Sequence, residues 1–220
     1  MNFKNTKSII FDMDGIIFDT ERLYVDCCVE VGNKYGIEHV EEACYKCIGI
    51  TSEESRKVML SFYGNDFDLE RFRKEVDVLF AARFEAEPLV KPGVRELLTY
   101  LKGEDKKIAI ASSTKKESVE RELRMVGIID YFDEIVCGDM VGKSKPAPDI
   151  FIEAAHRLGS EPEECVVIED SFNGIRAAHA AGAFSIMVPD MLSPDDEMKE
   201  KASIILNSLL EVRDYLKDQN

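Results

Sequence analysis

Two aspartates two residues apart, Asp12 and Asp14, stand directly after an apolar run, Ile9-Ile10-Phe11, and directly before Gly15. In an extended chain the side chains at i and i+2 point the same way. Two carboxylates about 5 Å apart repel by roughly 3 kcal/mol at an effective dielectric of 20. A chain that places them so at the end of a hydrophobic strand calls for a compensating cation. Magnesium suits the pair, because it prefers hard oxygen ligands and is commonly bound by one or two carboxylates plus phosphate. Taken alone, the pair is equally the end of a strand with two solvated acids near a turn.

Three further polar sets repeat the pattern. Ser112-Ser113-Thr114 follows the run Lys107 to Ala111, Lys145 follows Glu134 to Gly138, and Glu169-Asp170 ends the run from Cys165. In an open parallel sheet, ligands bind beyond the carboxyl ends of the strands. Four sets in corresponding places suit phosphoryl transfer. One aspartate can attack phosphorus, and a second can pass a proton to the leaving alcohol and later take one from water. Hydroxyl and backbone N–H groups can hold the phosphate oxygens where charge develops. A lysine ties a phosphate to a carboxylate as a point charge, and Glu169 or Asp170 completes a magnesium shell. Each set also has a plainer role: Ser112 as a helix cap, Lys145 as a loop charge, the acids at 169–170 as surface groups. Their joint placement favours the site.

The elements that must position these groups alternate along the chain. Strands are expected at Ile9–Phe11, Lys107–Ser112, Glu134–Gly138, Cys165–Asp170 and Phe184–Val188, with helices between them and a last helix over Leu206–Leu216. Such alternation implies crossover units and a parallel sheet, and continuously apolar strands imply that both faces are covered. Residues 20–88 show only helical periodicity. One helix there is expected to bury Leu23, Val25, Cys28, Val29 and Tyr35, to be capped by Asp19 or Thr20, and to end at Gly36. Thr51-Ser-Glu-Glu54 resembles a capping box, and Asp68 opens a fourth helix. The expected fold is α/β: a doubly wound, Rossmann-like parallel sheet, residues 1–17 and 88–220, with a small all-helical domain inserted at 18–87.

At 220 residues and 45% hydrophobic, the chain can bury a sizeable core. A net charge of −15 argues against nucleic acid and anionic membranes as partners. A bound cation can still invert the local field for an anionic substrate. No apolar stretch is long enough to span a membrane and no signal peptide is visible. Six cysteines then suggest reduced thiols in the cytoplasm. Cys44 and Cys47, with Cys27 and Cys28 upstream, have a weak zinc-ligand spacing and are read instead as helix thiols.

Nearly the whole chain resembles the haloacid dehalogenase superfamily of phosphatases and phosphomutases. Phe11-Asp12-Met13-Asp14-Gly15 matches its first motif, Ala111-Ser112-Ser113 its second, Lys145 in Ser-Lys-Pro-Ala-Pro-Asp-Ile-Phe its third, and Glu169-Asp170-Ser171 with Gly174-Ile175 its fourth. The resemblance implies Asp12 as nucleophile and Asp14 as acid/base. It implies Ser112, Ser113 and Lys145 as the phosphate site, and Asp12, Asp14, Glu169 and Asp170 around Mg2+. The helical insertion resembles that family's cap, with hinges near 15–20 and 85–92, and the nearest group is similar to β-phosphoglucomutase and its phosphatase relatives. Those mutases carry a histidine where this chain has Tyr24, and an arginine in the loop after the glycine matching Gly49, where this chain has Ser52. Substrate choice is therefore expected to rest on Tyr24, Gly49, Thr51 and Ser52. The implied enzyme is a magnesium-dependent, monomeric phosphatase acting on a small phosphorylated metabolite such as a sugar phosphate. A β-phosphoglucomutase-type mutase is the alternative, and a phosphoacceptor signalling module a distant one.

Overall fold

A computed structural model describes residues 6–48, 50 and 52–219. The expected cap residues Gly49 and Thr51 lie outside the described residues, as does the side chain of Ser52. The chain divides into two compact units, Met1–Phe18 with Val90–Asn220, and Asp19–Leu89. The expected divisions were 17/18 and 87/88.

The first strand, β1 (Ser8–Phe11), is wholly buried. Three apolar side chains in succession can only be satisfied by cover on both faces. The chain then enters the helical unit, made of α1 (Thr20–Tyr35), α2 (Val40–Tyr45), α3 (Ser52–Tyr63) and α4 (Leu69–Ala86). Its interior holds Leu23, Val31, Cys28, Cys44, Phe72, Val76 and Phe84. Asp68 caps α4 by accepting from Arg71 N at 3.1 Å. One expectation for α1 holds and one fails. Asp19 is its N-cap, although it makes no side-chain cap bond and its Oδ2 lies 3.7 Å from Arg22 Nε. Tyr35 is 43% exposed, because its hydroxyl reaches out to Glu75 at 2.6 Å.

Back in the first unit, the chain runs through α5 (Val94–Gly103), β2 (Lys107–Ser112), α6 (Lys116–Met125), β3 (Glu134–Cys137) and α7 (Asp149–Arg157). It continues through β4 (Cys165–Glu169), α8 (Phe172–Ala181), β5 (Phe184–Met187), α9 (Asp196–Lys201), β6 (Ile204–Ile205) and α10 (Leu209–Asp218). The described strands form one sheet in the order β3-β2-β1-β4-β5-β6, and each neighbouring pair is parallel. This is a doubly wound, Rossmann-like α/β fold. The order reverses between β1 and β4, the switch point where such sheets open a crevice. There Phe11 pairs with both Ile110 and Ile168, so β1 and β4 deliver the residues after them to one place.

One face of the sheet carries Ile10, Ala109, Ala111, Val136 and Val167, packed with Ile150, Phe151, Ala154, Ala177 and Ala178 from α7 and α8. Burying each large apolar side chain contributes about 1.5–3 kcal/mol. Alanines at five of these helix and strand positions let the helices lie close. Phe11 faces the other way and meets Phe132 edge-on, 6.3 Å between centroids. Among the described residues no helix is long and apolar enough to cross a membrane.

Local signals set the helix starts. Ser171 accepts from Gly174 N at 3.1 Å, so α8 begins at Phe172. Ser208 accepts from Glu211 N at 3.2 Å, so α10 begins at Leu209, after the expected Leu206.

Candidate active site

The loop after β1 is tightly held. Asp12 N donates to Ile168 O at 2.9 Å, Gly15 N to Phe18 O at 2.9 Å, and Lys91 N to Ile17 O at 2.9 Å. Gly15 has φ of +78°, and a Cβ there would lie 2.2 Å from Asp170 Oδ2. Glycine is needed both for the left-handed turn and for the approach of the Asp170 carboxylate. Asp12 is thereby fixed at the mouth of the switch point, 6% exposed.

From the next strand over, β4 supplies Glu169 and Asp170, 1% and 6% exposed. Both oxygens of Glu169 are engaged: Oε2 accepts from Ser171 N at 2.5 Å, and Oε1 from Ser171 Oγ at 3.3 Å and from Lys145 Nζ at 2.9 Å. Gly174 permits this, since a Cβ there would fall 1.6 Å from Glu169 Oε1. Lys145 reaches in from the loop before α7, where its peptide bond to Pro146 is cis. Its ammonium donates to Asp12 Oδ1, to Glu169 and to Ala111 O at 3.1 Å, and lies 4.8 Å over the Phe151 ring. Its side chain is 7% exposed.

Oxygens of Asp12, Glu169 and Asp170 lie within 4.8 Å of one another. Three buried carboxylates thus crowd one place, and the buried Lys145 ammonium bridges two of them, Asp12 and Glu169. Burial, then repulsion from Glu169 and Asp14, pushes the Asp12 carboxyl up to about 8, although Lys145 pulls the other way. Burial acts to lower Lys145, but Asp12 and Glu169 together hold it above the ordinary lysine value. The ammonium stays charged and one carboxyl tends to keep a proton. A further cation would relieve that excess, and an all-oxygen donor set suits a hard divalent ion.

Asp14 stands outside this trio and is only partly buried. Its Oδ2 accepts from Thr114 Oγ1 at 3.1 Å. Ser112 ends β2 fully buried, and its Oγ accepts from Thr114 N at 3.0 Å; α6 starts only at Lys116, so Ser112 is not its cap. Ser113 is exposed, and its carbonyl packs where a Cβ on Gly138 would come to 2.5 Å. The α/β unit therefore brings Asp12, Lys145, Glu169 and Asp170 into one cluster, with Asp14 beside Thr114 and Ser112 on the next strand. Sequence reasoning placed Thr114 among the strand-end hydroxyls but gave it no role, and it missed Asp190. That acid follows β5, and one of its oxygens lies within 4.8 Å of Asp170. The apolar run into Val188 marks a strand end ahead of Asp190, but not the acid it approaches.

In the helical unit, Tyr24 is half-buried on α1. Its hydroxyl points to Asp77 Oδ1 at 3.5 Å and its ring meets Phe80 edge-on at 5.9 Å. Burial holds its proton more firmly than in free tyrosine. Cys28 and Cys44 hydrogen-bond to each other, and among the described residues the groups able to hold a metal consist of carboxylates.

A doubly wound sheet with buried acids, a buried lysine and a serine at the carboxyl ends of its strands defines a phosphoryl-transfer type of enzyme. The chain belongs to the haloacid dehalogenase-like hydrolase family, whose model matches residues 9–188. A phosphorylated carbohydrates phosphatase of Thermotoga maritima is 33% identical over 213 residues, spanning 96% of this chain and 99% of that protein. The β-phosphoglucomutase of Bacillus subtilis is 32% identical over 217 residues, spanning 93% and 94%. A solved hydrolase of the same family from Deinococcus radiodurans, with bound phosphate and sodium, superposes with a TM-score of 0.81 at 26% identity, covering 98% of this chain and 96% of that one. The chain is thus an enzyme of the family's phosphatase and phosphomutase group.

Proposed function

We propose that the chain is a magnesium-dependent phosphatase that hydrolyses a small phosphomonoester, a sugar phosphate or similar metabolite, through an aspartyl-phosphate on Asp12. The observation that carries this reading is the crowding of three buried carboxylates: oxygens of Asp12, Glu169 and Asp170 lie within 4.8 Å of one another, with the Lys145 ammonium bridging Asp12 and Glu169. Like charges held this close repel, and an all-oxygen set of buried acids suits a hard dication. Asp12 and Asp170 are the direct ligands in this account. Glu169, both oxygens engaged, anchors Lys145 and the start of α8. When bound, magnesium supplies positive charge against the phosphate oxygens.

Asp12 attacks phosphorus, the ester P–O bond breaks, and Asp14 gives its proton to the departing alkoxide. Water then attacks the phosphorus of the aspartyl-phosphate and yields a proton to Asp14. The bond from phosphorus to Asp12 breaks, leaving inorganic phosphate and a free carboxylate. Lys145 fixes Asp12 through Oδ1, and Ser112 with the backbone that follows it holds the phosphate oxygens. Thr114, donating to Asp14, positions the acid/base carboxylate.

The helical unit acts as the cap that selects substrate, and the names of the relatives, a carbohydrate-phosphate phosphatase among them, support a sugar phosphate. A mutase is the second reading, supported by the likeness to β-phosphoglucomutase. Against it stands Tyr24, whose proton is held too tightly for a base. The test is a phosphate-release screen over sugar phosphates, run beside conversion of β-glucose 1-phosphate to glucose 6-phosphate. Free phosphate without isomerisation is expected. Isomerisation without net release would establish the mutase instead.

A further inference from the structure

Asp190 follows β5, one strand beyond the pair that carries the cluster. Its side chain is 8% exposed. One of its oxygens lies within 4.8 Å of Asp170, so two buried carboxylates face each other next to the trio. Asp190 Oδ1 is held by Lys91 Nζ at 2.5 Å, and that lysine side chain is 19% exposed. Its other oxygen, Oδ2, is buried and has no hydrogen-bond partner among the described residues. Lys91 is in turn fixed through its backbone N–H to Ile17 O in the loop that carries Asp12 and Asp14. A buried acceptor left unsatisfied is costly, and most such groups in folded proteins find protein or ordered water.

We propose that Asp190 is a further residue of the cation site. Its unpartnered Oδ2 takes a hydrogen bond from the water shell of an ion held at Asp12 and Asp170, and Lys91 fixes it in that orientation through Oδ1. This rests on the magnesium reading above. Magnesium keeps several of its waters when bound by one or two carboxylates, and acceptors of that outer shell raise metal affinity. A purely structural Lys91–Asp190 pair would tie the β1 loop to the end of β5. It would affect stability without affecting metal affinity.

The test is magnesium titration of metal-stripped protein by calorimetry, with wild type, D190N, the double variant K91M/D190N and D170N, each checked for folding by circular dichroism. D190N is expected to weaken magnesium binding about 10-fold. The double variant should do the same without leaving a buried ammonium unpaired, and it serves if D190N alone does not fold. Magnesium affinity within about two-fold of wild type in the folded variant would overturn the proposal, even if melting of the metal-free protein shifted. If wild type takes up no magnesium, or D170N binds it as well as wild type, the parent reading falls and this one with it. If wild type binds and D170N does not, an unchanged D190N removes only the present inference.

Discussion

In the α/β unit, Asp12, Glu169 and Asp170 are each less than a tenth exposed, and one buried lysine, Lys145, bridges Asp12 and Glu169. In the helical unit the charged groups lie at the surface and pair off: Lys34 with Glu75, Lys46 with Glu42, Arg56 with Glu70, Lys57 with Glu53. Water screens such pairs, and they contribute little. The buried acids are held within 4.8 Å of one another, away from the water that would screen their repulsion. The contrast shows where chemistry is concentrated. One unit carries acids that are kept out of water, while the other is held by an apolar interior of Phe72, Val76, Phe84 and two cysteines, with charges as solvated trim.

The largest expected effect comes from the buried side. Asp12→Asn removes the nucleophile and should lower phosphate release by at least about 10^4-fold, as loss of a residue acting within a concerted unit does. Because it also removes one of three crowded carboxylates, the melting temperature of the metal-free variant should rise rather than fall. Wild-type turnover in this variant would falsify the nucleophile assignment. Next, Lys145→Met removes the ammonium that bridges Asp12 and Glu169 and should destabilise the metal-free protein by about 3–5 kcal/mol in a urea titration. A smaller loss would mean that the carboxylates protonate and escape the penalty.

A pH series sharpens the comparison. The Asp12 carboxyl is raised from 3.8 to about 8 in the folded metal-free protein. The folded state therefore binds this proton more tightly than the unfolded one. The resulting stability is full below the unfolded value and is lost as pH rises from about 4 through about 8. The melting temperature of metal-stripped wild type, read relative to Asp12→Asn, should fall across that window, and magnesium should flatten the fall. A pH-independent difference would refute the buried-charge argument. The smallest effect belongs to the helical unit. Hydrogen bonds from Lys34, and from Tyr35 and Arg71, hold the Glu75 carboxyl down at about 2. Its contribution is present above the ordinary glutamate range and disappears only as pH falls toward 2. At neutral pH Glu75→Gln should leave turnover unchanged and shift melting slightly. A large loss of turnover would erase the division drawn between the two units.

The same contrast explains what the sequence disclosed. Asp12, Asp14, Ser112, Lys145 and Glu169-Asp170 were legible because each follows an apolar run, and a strand end is a local signal. The parallel sheet with its covered faces followed from the alternation of strands and helices. The strand Ile204–Ile205 was not legible: two residues in an acidic tail pair only because Ile186 and Met187 lie beside them. The helix Asp196–Lys201 escaped for a similar reason, being short and defined by Asp195 accepting from Met198 N at 2.8 Å. Tyr35 was misjudged as inward because helical periodicity cannot weigh a hydroxyl drawn to Glu75, a residue distant in sequence. The bond from Thr114 to Asp14 and the approach of Asp190 to Asp170 join residues remote in the chain, and no local pattern encodes them.

The most direct test of the central claim, that the buried carboxylates are built for a divalent ion used in phosphate release, is a metal add-back assay. Protein stripped with chelator and dialysed is supplied with a panel of sugar phosphates, and released phosphate is followed before and after magnesium is added. The account predicts no release until magnesium is present, recovery on its addition, and none with calcium, whose larger and looser coordination does not suit the site. Full release in excess chelator would contradict it.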